Sequence, residues 1–140
     1  VKRPLYAAAG VAVLAVAGWM IYQALYGSLV FFILPSEYAQ NPAQFEDRRI
    51  RLGGIVANDS VTFDNDSLKL TFLISDSLKS LPVTHHGAPP ELFREMMGVV
   101  VEGHFKEGGF ASDNLLVRHT EVYQPDGKPI DNEALRRALY

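Results

Sequence analysis

Ser67-Leu68-Lys69-Leu70-Thr71-Phe72-Leu73-Ile74-Ser75 is the clearest period-two run in the chain. Leu68, Leu70, Phe72 and Ile74 recur at every second position, with Lys69, Thr71, Leu73 and Ser75 between them. Successive side chains of a strand point to opposite faces, so this spacing predicts a strand with one face on a core. Upstream, Arg48 to Val56 alternates too, Ile50 and Leu52 on one side and Arg49 and Arg51 on the other. Gly53-Gly54 within that segment suggests a bulge or a sharp bend. Asn58-Asp59-Ser60 reads as a turn between the two strands.

Downstream, Ser80 to Thr84 is a weaker strand, followed by Val99 to Phe105 and Phe110 to Arg118, with Glu107-Gly108-Gly109 breaking the last two apart. Gly87-Ala88-Pro89-Pro90 ends the third strand, and Pro90-Glu91-Leu92-Phe93-Arg94-Glu95 reads as a short helix with proline at its start. Five or so short strands, glycine kinks and one helix before the fourth strand predict a mainly β domain. Its best match is a small Greek-key β-barrel of the OB-fold type.

Before the barrel, Leu5 to Tyr26 contains no charged residue. That run of roughly 22 residues matches a hydrocarbon core about 30 Å thick. Trp19, Tyr22 and Tyr26 gather toward its far end, as interfacial aromatics do. A cleavable signal peptide has a shorter apolar core and a small-residue cleavage site, where this chain has aromatics. A retained signal anchor, one N-terminal transmembrane helix, is the expectation. Lys2 and Arg3 before the span put the N-terminus in the cytoplasm and the domain in the periplasm of a bacterial inner membrane. Leu29 to Leu34 is either a strand or more of the interfacial segment, and Pro35 to Phe45 reads as turns around a short helix.

Of 13 Lys and Arg, Lys2 and Arg3 precede the span, leaving 11 against 16 Asp and Glu beyond it. A net of −5 lacks the basic footprint of a nucleic-acid binder. No cysteine is present, so neither a disulfide framework nor a thiolate metal site is available. After Pro125 the chain reads as a flexible C-terminal tail, and Asn132 to Leu139 reads as two turns of helix capped by Asp131 or Asn132. A helix that short is marginal alone and is expected to be mobile unless it docks. The organisation expected is therefore an anchor over residues 1–28, a barrel over 29–118, and a binding motif with the flexible C-terminal tail over 119–140.

Four histidines are the candidate chemistry. His104, in phase with Val100 and Glu102, is expected to face solvent from its strand. His85 and His86, adjacent on a strand, point to opposite faces and read as turn residues rather than a chelating pair. Zinc needs three or four converging ligands, which this spacing does not supply. Neither a nucleophile elbow nor a glycine loop opening a helix is present. His119 and Tyr123 stand where the last strand ends, and a histidine there is accessible as a nucleophile or ligand. Its unperturbed pKa near 6.5 leaves the imidazole largely neutral at pH 7, with a free lone pair. Spacing alone also suits an ordinary surface histidine.

Val117-Arg118-His119-Thr120-Glu121-Val122-Tyr123-Gln124-Pro125 resembles the periplasmic haem chaperones of cytochrome c maturation, the CcmE family. Ser67 to Phe72, Leu92 to Glu95 and Gly98 to Gly103 resemble the same family, in its order along the chain. The resemblance implies an OB-fold barrel on one anchor and a non-enzymatic carrier. It implies that His119 attaches haem b covalently and transiently through a vinyl group, with Tyr123 an axial ligand of the haem iron. Implied partners are a haem-loading ABC-transporter complex with a haem-handling membrane protein, then a membrane haem lyase and apocytochrome c. Thr120 stands where the family commonly has an acid, and Pro125-Asp126 where it often has a double proline. Read without the resemblance, an anchored OB-fold module for oligosaccharide or protein is the alternative. Arg118 suits either a propionate partner or ordinary solvated charge.

Overall fold

Leu70, Phe72 and Ile74 are buried as their alternation requires, whereas Leu68 is 53% exposed. The physical reason is local: Leu68 has a left-handed φ of 50° and closes a turn, so the strand begins one residue later. The computed structural model describes residues 2–118 and 131–140, with Gly27 and Ser28 described by backbone alone. Elements follow in the order α1 (Arg3–Ser28), β1 (Phe31–Ile33), α2 (Pro35–Gln40), a 3-10 turn (Pro42–Gln44) and β2 (Ile50–Val56). Then come β3 (Thr62–Asp64), β4 (Lys69–Ser75), β5 (Ser80–His86), β6 (Gly98–Lys106), β7 (Gly109–Arg118) and α3 (Asn132–Leu139).

Five strands close on themselves in the order β2-β6-β7-β5-β4, with Ile55 and Val56 of β2 pairing Ser75 and Ile74 of β4 to complete the ring. All ring pairings are antiparallel except β5 with β7. Consecutive strands joined by hairpins, plus one parallel pair that needs a crossover, make this the five-stranded Greek-key barrel of the OB-fold. β1 and β3 fill what closure leaves over: β1 runs parallel to the first half of β2, and β3 pairs the first half of β4. The barrel is filled by Ile50, Leu52, Val56, Leu70, Phe72, Ile74, Val83, Val99, Val101, Phe110 and Leu115.

Three local readings change. Residues 90–95 form turns, with Phe93 N–H donating to the Pro90 carbonyl, rather than the expected helix. Phe93 is drawn instead against Phe72, ring centroids 5.0 Å apart. Gly53-Gly54 holds no bulge, since β2 pairs β6 without a break from Ile50 to Ile55. A Cβ on Gly53 would lie 2.4 Å from the Phe32 ring, so that glycine makes room for the ring on the outer face of β2. The irregularity lies between β6 and β7, where Glu102 faces Asn114 but Gly103 faces Ser112, leaving Asp113 as the extra residue. Arg49 clamps that residue with two hydrogen bonds of 2.7 and 2.8 Å, which hold the Asp113 carboxylate below the usual range.

Helix α3 docks on the barrel's outside. Leu135 and Leu139 are fully buried against Leu34, Ile55 and Val100, with Phe32 alongside. The apolar pair at i and i+4 is the one stripe an eight-residue helix can offer.

Candidate functional site

His119 and Tyr123 lie outside the described residues, so the site is built up to the residue that precedes them. β7 carries the chain there, and the Asp113 bulge decides which face its end presents. Phe110 and Ser112 point into the barrel, but past the extra residue the inward set becomes Leu115 and Val117. Leu116 and Arg118 therefore face outward, Leu116 41% exposed. Opposite Leu116 in the ladder is Val100, whose own outward side chain is covered by α3.

These residues, with β1 and α3, surround a groove of about 250 Å³ lined by Val30, Phe32, Arg51, Val100, Glu102, Leu116, Arg118, Leu139 and Tyr140. Its floor takes in Phe32, Val100, Leu116 and Leu139, of which Val100 and Leu139 are buried, and polar atoms make up more of the exposed lining than apolar ones. Its rim is charged, with Arg51 donating to Glu102 at 2.5 Å and Arg118 making no ion pair among the described residues. Apolar side chains beside a guanidinium suit a molecule that is apolar in one part and carries carboxylates in another.

The other histidines do not join this site. His104 is exposed, as its phase predicts. His85 and His86 do point to opposite faces, but they end strand β5 rather than sit in a turn, and His85 is 8% exposed. Its Nδ1 lies 3.2 Å from the Ser112 hydroxyl, which in turn donates to the Asn114 carbonyl at 2.9 Å. Burial lowers the His85 pKa below its ordinary value and keeps the ring neutral. Among the described residues no three His, Asp or Glu side chains converge as a metal would require.

The anchor helix α1 is long and apolar enough over Arg3–Tyr26 to cross a membrane, and none of its most apolar window is buried by the domain. Phe31, at the first position after it in the sheet, lies under the Arg48 guanidinium at 5.5 Å.

Residues 29–126 match the CcmE domain family model. The chain belongs to the CcmE family. Curated CcmE relatives, named cytochrome c-type biogenesis proteins, include one from Thermus thermophilus, 43% identical over 127 residues that cover 91% of this chain and 89% of the relative. Another, from Deinococcus radiodurans, is 39% identical over 116 residues, 83% of this chain and 68% of the relative. Among solved structures, the OB-fold domain of the heme chaperone CcmE from Desulfovibrio vulgaris is 27% identical, covering 50% of this chain and 85% of that one at a TM-score of 0.44. CcmE membership places the chain in cytochrome c biogenesis.

What sequence reasoning missed at this groove is its aromatic and arginine partners. Phe32 and Arg51 become neighbours of Arg118 only when β1, β2, β6 and β7 are laid side by side. Gly53 is the one local signal for it, a strand glycine that marks close approach of another group.

Proposed function

We propose that this CcmE-family chain is a haem carrier, tethered to the bacterial inner membrane by α1 with its barrel in the periplasm. It takes haem b at the end of β7 and holds it covalently through His119, with Tyr123 ligating the iron. The observation that supports this reading best is the groove, where Phe32 and the exposed Leu116 stand beside an arginine one residue before His119. Porphyrin faces are apolar and propionates anionic, so the floor and Arg118 match two ends of the same cargo.

The attachment balances without an added oxidant or reductant. A ring nitrogen of His119 bonds to one vinyl carbon, the vinyl double bond becomes single, and its other carbon takes up the proton the imidazole gives up. Neutral imidazole supplies the electron pair, and tyrosine oxygen is a known type of axial haem ligand. A groove of about 250 Å³ lies below the usual range for sites that engulf a ligand of drug size. Partial cover suits a cargo that must leave, received from an ABC-transporter complex with a haem-handling membrane protein and passed through a haem lyase to apocytochrome c. The chain's part is binding and handover rather than turnover.

Haem staining after denaturing electrophoresis tests this. Protein co-expressed with the maturation machinery is expected to give a band that His119→Ala abolishes, while Tyr123→Phe keeps the band with an altered visible spectrum. A wild type with no band, beside a second chaperone matured by the same machinery, refutes covalent capture and leaves the barrel a non-haem binding module.

A further inference from the structure

We infer that helix α3 is a built wall of the cargo groove, and that Tyr140 is a further haem-contact residue. The inference rests on the haem-carrier reading and extends the site to α3 and Tyr140, 13 to 21 residues beyond His119. Three ties to the rest of the domain, and one cap within the helix, fix α3. Leu135 and Leu139 are buried against Leu34, Ile55 and Val100. The Asn132 side-chain oxygen accepts from the Ser77 N–H at 3.1 Å and from its hydroxyl at 2.7 Å, and its amide donates to the Ser36 hydroxyl at 3.2 Å. Asp131 caps the first turn by accepting from the Glu133 N–H at 3.2 Å. Arg136 pairs with Glu37 while its guanidinium lies 6.0 Å from the Phe32 ring centre.

These ties aim the C-terminal end of α3 at the groove. Leu139 lines the floor, and the Tyr140 ring meets Phe32 edge-to-face at 5.8 Å with planes at 90°. Tyr140 is nonetheless 85% exposed. An aromatic ring held against a groove but left uncovered gains most when a flat apolar molecule is laid beside it. The commitment to haem comes from complementarity: Tyr140 and Phe32 offer aromatic surface, and Arg118 offers a partner to a propionate across the same opening.

Titration of the detergent-solubilised full chain with ferric protoporphyrin IX, followed by the Soret band, tests the wall. Tyr140→Ala is expected to weaken binding about three- to ten-fold, the worth of one aromatic pair. Leu135→Asp, which undocks α3, is expected to weaken it at least as much, and Arg137→Ala, on the exposed side of α3, to leave it unchanged. Circular dichroism melting establishes that the barrel of each variant is folded. Tyr140→Ala and Leu135→Asp binding like wild type, with barrels intact, overturns the inference. Because covalent capture is read separately from the His119 band in cells, that band persisting beside unchanged titrations removes the wall and leaves the carrier. Loss of the band removes the carrier itself.

Discussion

Gly103→Ala is expected to be among the most damaging single methyl additions in the barrel. A Cβ at that position would stand 1.9 Å from the Ala111 carbonyl oxygen, 2.9 Å from its carbon and 3.0 Å from the Ser112 Cα. Carbon and oxygen normally approach no closer than about 3.3 Å even in favourable strand contacts. The two strands must therefore separate by more than about 1 Å, and the obstacle is backbone, which has no rotamer to retreat into. Separation strains the pairings of Gly103 with Ser112 and His104 with Ala111, at about 0.5–1.5 kcal/mol for each hydrogen bond lost. It also disturbs Phe105 and Phe110, whose rings pack 5.0 Å apart just beyond the bulge. Overpacking adds about 1–3 kcal/mol, against a gain of roughly 0.5–1 kcal/mol from removing a strand glycine. A net loss of about 3 kcal/mol lowers the melting temperature of a domain this size by more than about 10 °C. Gly108→Ala is the comparison: Gly108 has φ +80° in the β6–β7 turn and open space around it, so only backbone strain of about 1–2 kcal/mol applies. Thermal melting followed by circular dichroism reads both variants. If Gly103→Ala melts as high as Gly108→Ala, the strands do not approach as described and the bulge assignment is wrong.

Asp76 ties α2 to the β4–β5 hairpin by accepting from the Ser36, Leu78 and Lys79 N–H groups, each at 2.8 Å. Burial alone would raise its pKa, but those hydrogen bonds outweigh burial and hold it below the ordinary carboxylate value. Its contribution is thus present above the unfolded value near 3.9 and lost as pH falls through the folded one, so Asp76→Ala should cost about 1.5–3 kcal/mol at pH 7 and far less near pH 3; equal costs at both pH values in urea titrations would contradict this. For His85 the folded pKa is lowered by burial, so wild type should lose stability as pH falls from about 6.5 toward that folded value. His85→Gln should flatten that slope, and an unchanged slope would show that another group titrates. His119→Cys is expected to trap haem, since a thiolate is the stronger nucleophile and its vinyl thioether does not reverse. Undiminished transfer to apocytochrome c by that variant would remove the reason offered for histidine at this position.

Leu70, Phe72 and Ile74 could be read directly because alternation is a property of the strand itself, independent of what it packs against. The same holds for α1, whose length and lack of charge need no neighbours, and for the opposed faces of His85 and His86. The motif at His119 and Tyr123 was legible through its likeness to a family, and it remains a statement about sequence. Leu68 escaped because a turn's left-handed φ outranks the period that includes it. Phe93 escaped because contact with Phe72 competes with a proline-opened helix turn. On β7, strict alternation runs Phe110, Ser112, Asn114, Leu116, Arg118 along one face, which would bury the groove's own residues. One extra residue at Asp113 reverses that phase, and a reversal of period two moves every later side chain to the other face. Composition and spacing thus determined the long apolar helix and most of the strands, which are local, while the candidate ligands came from the likeness to a family. Tertiary structure decided which face Leu116 and Arg118 occupy, and that Leu135 and Leu139 cover the barrel beside them, because both depend on pairing across segments that are distant in the chain.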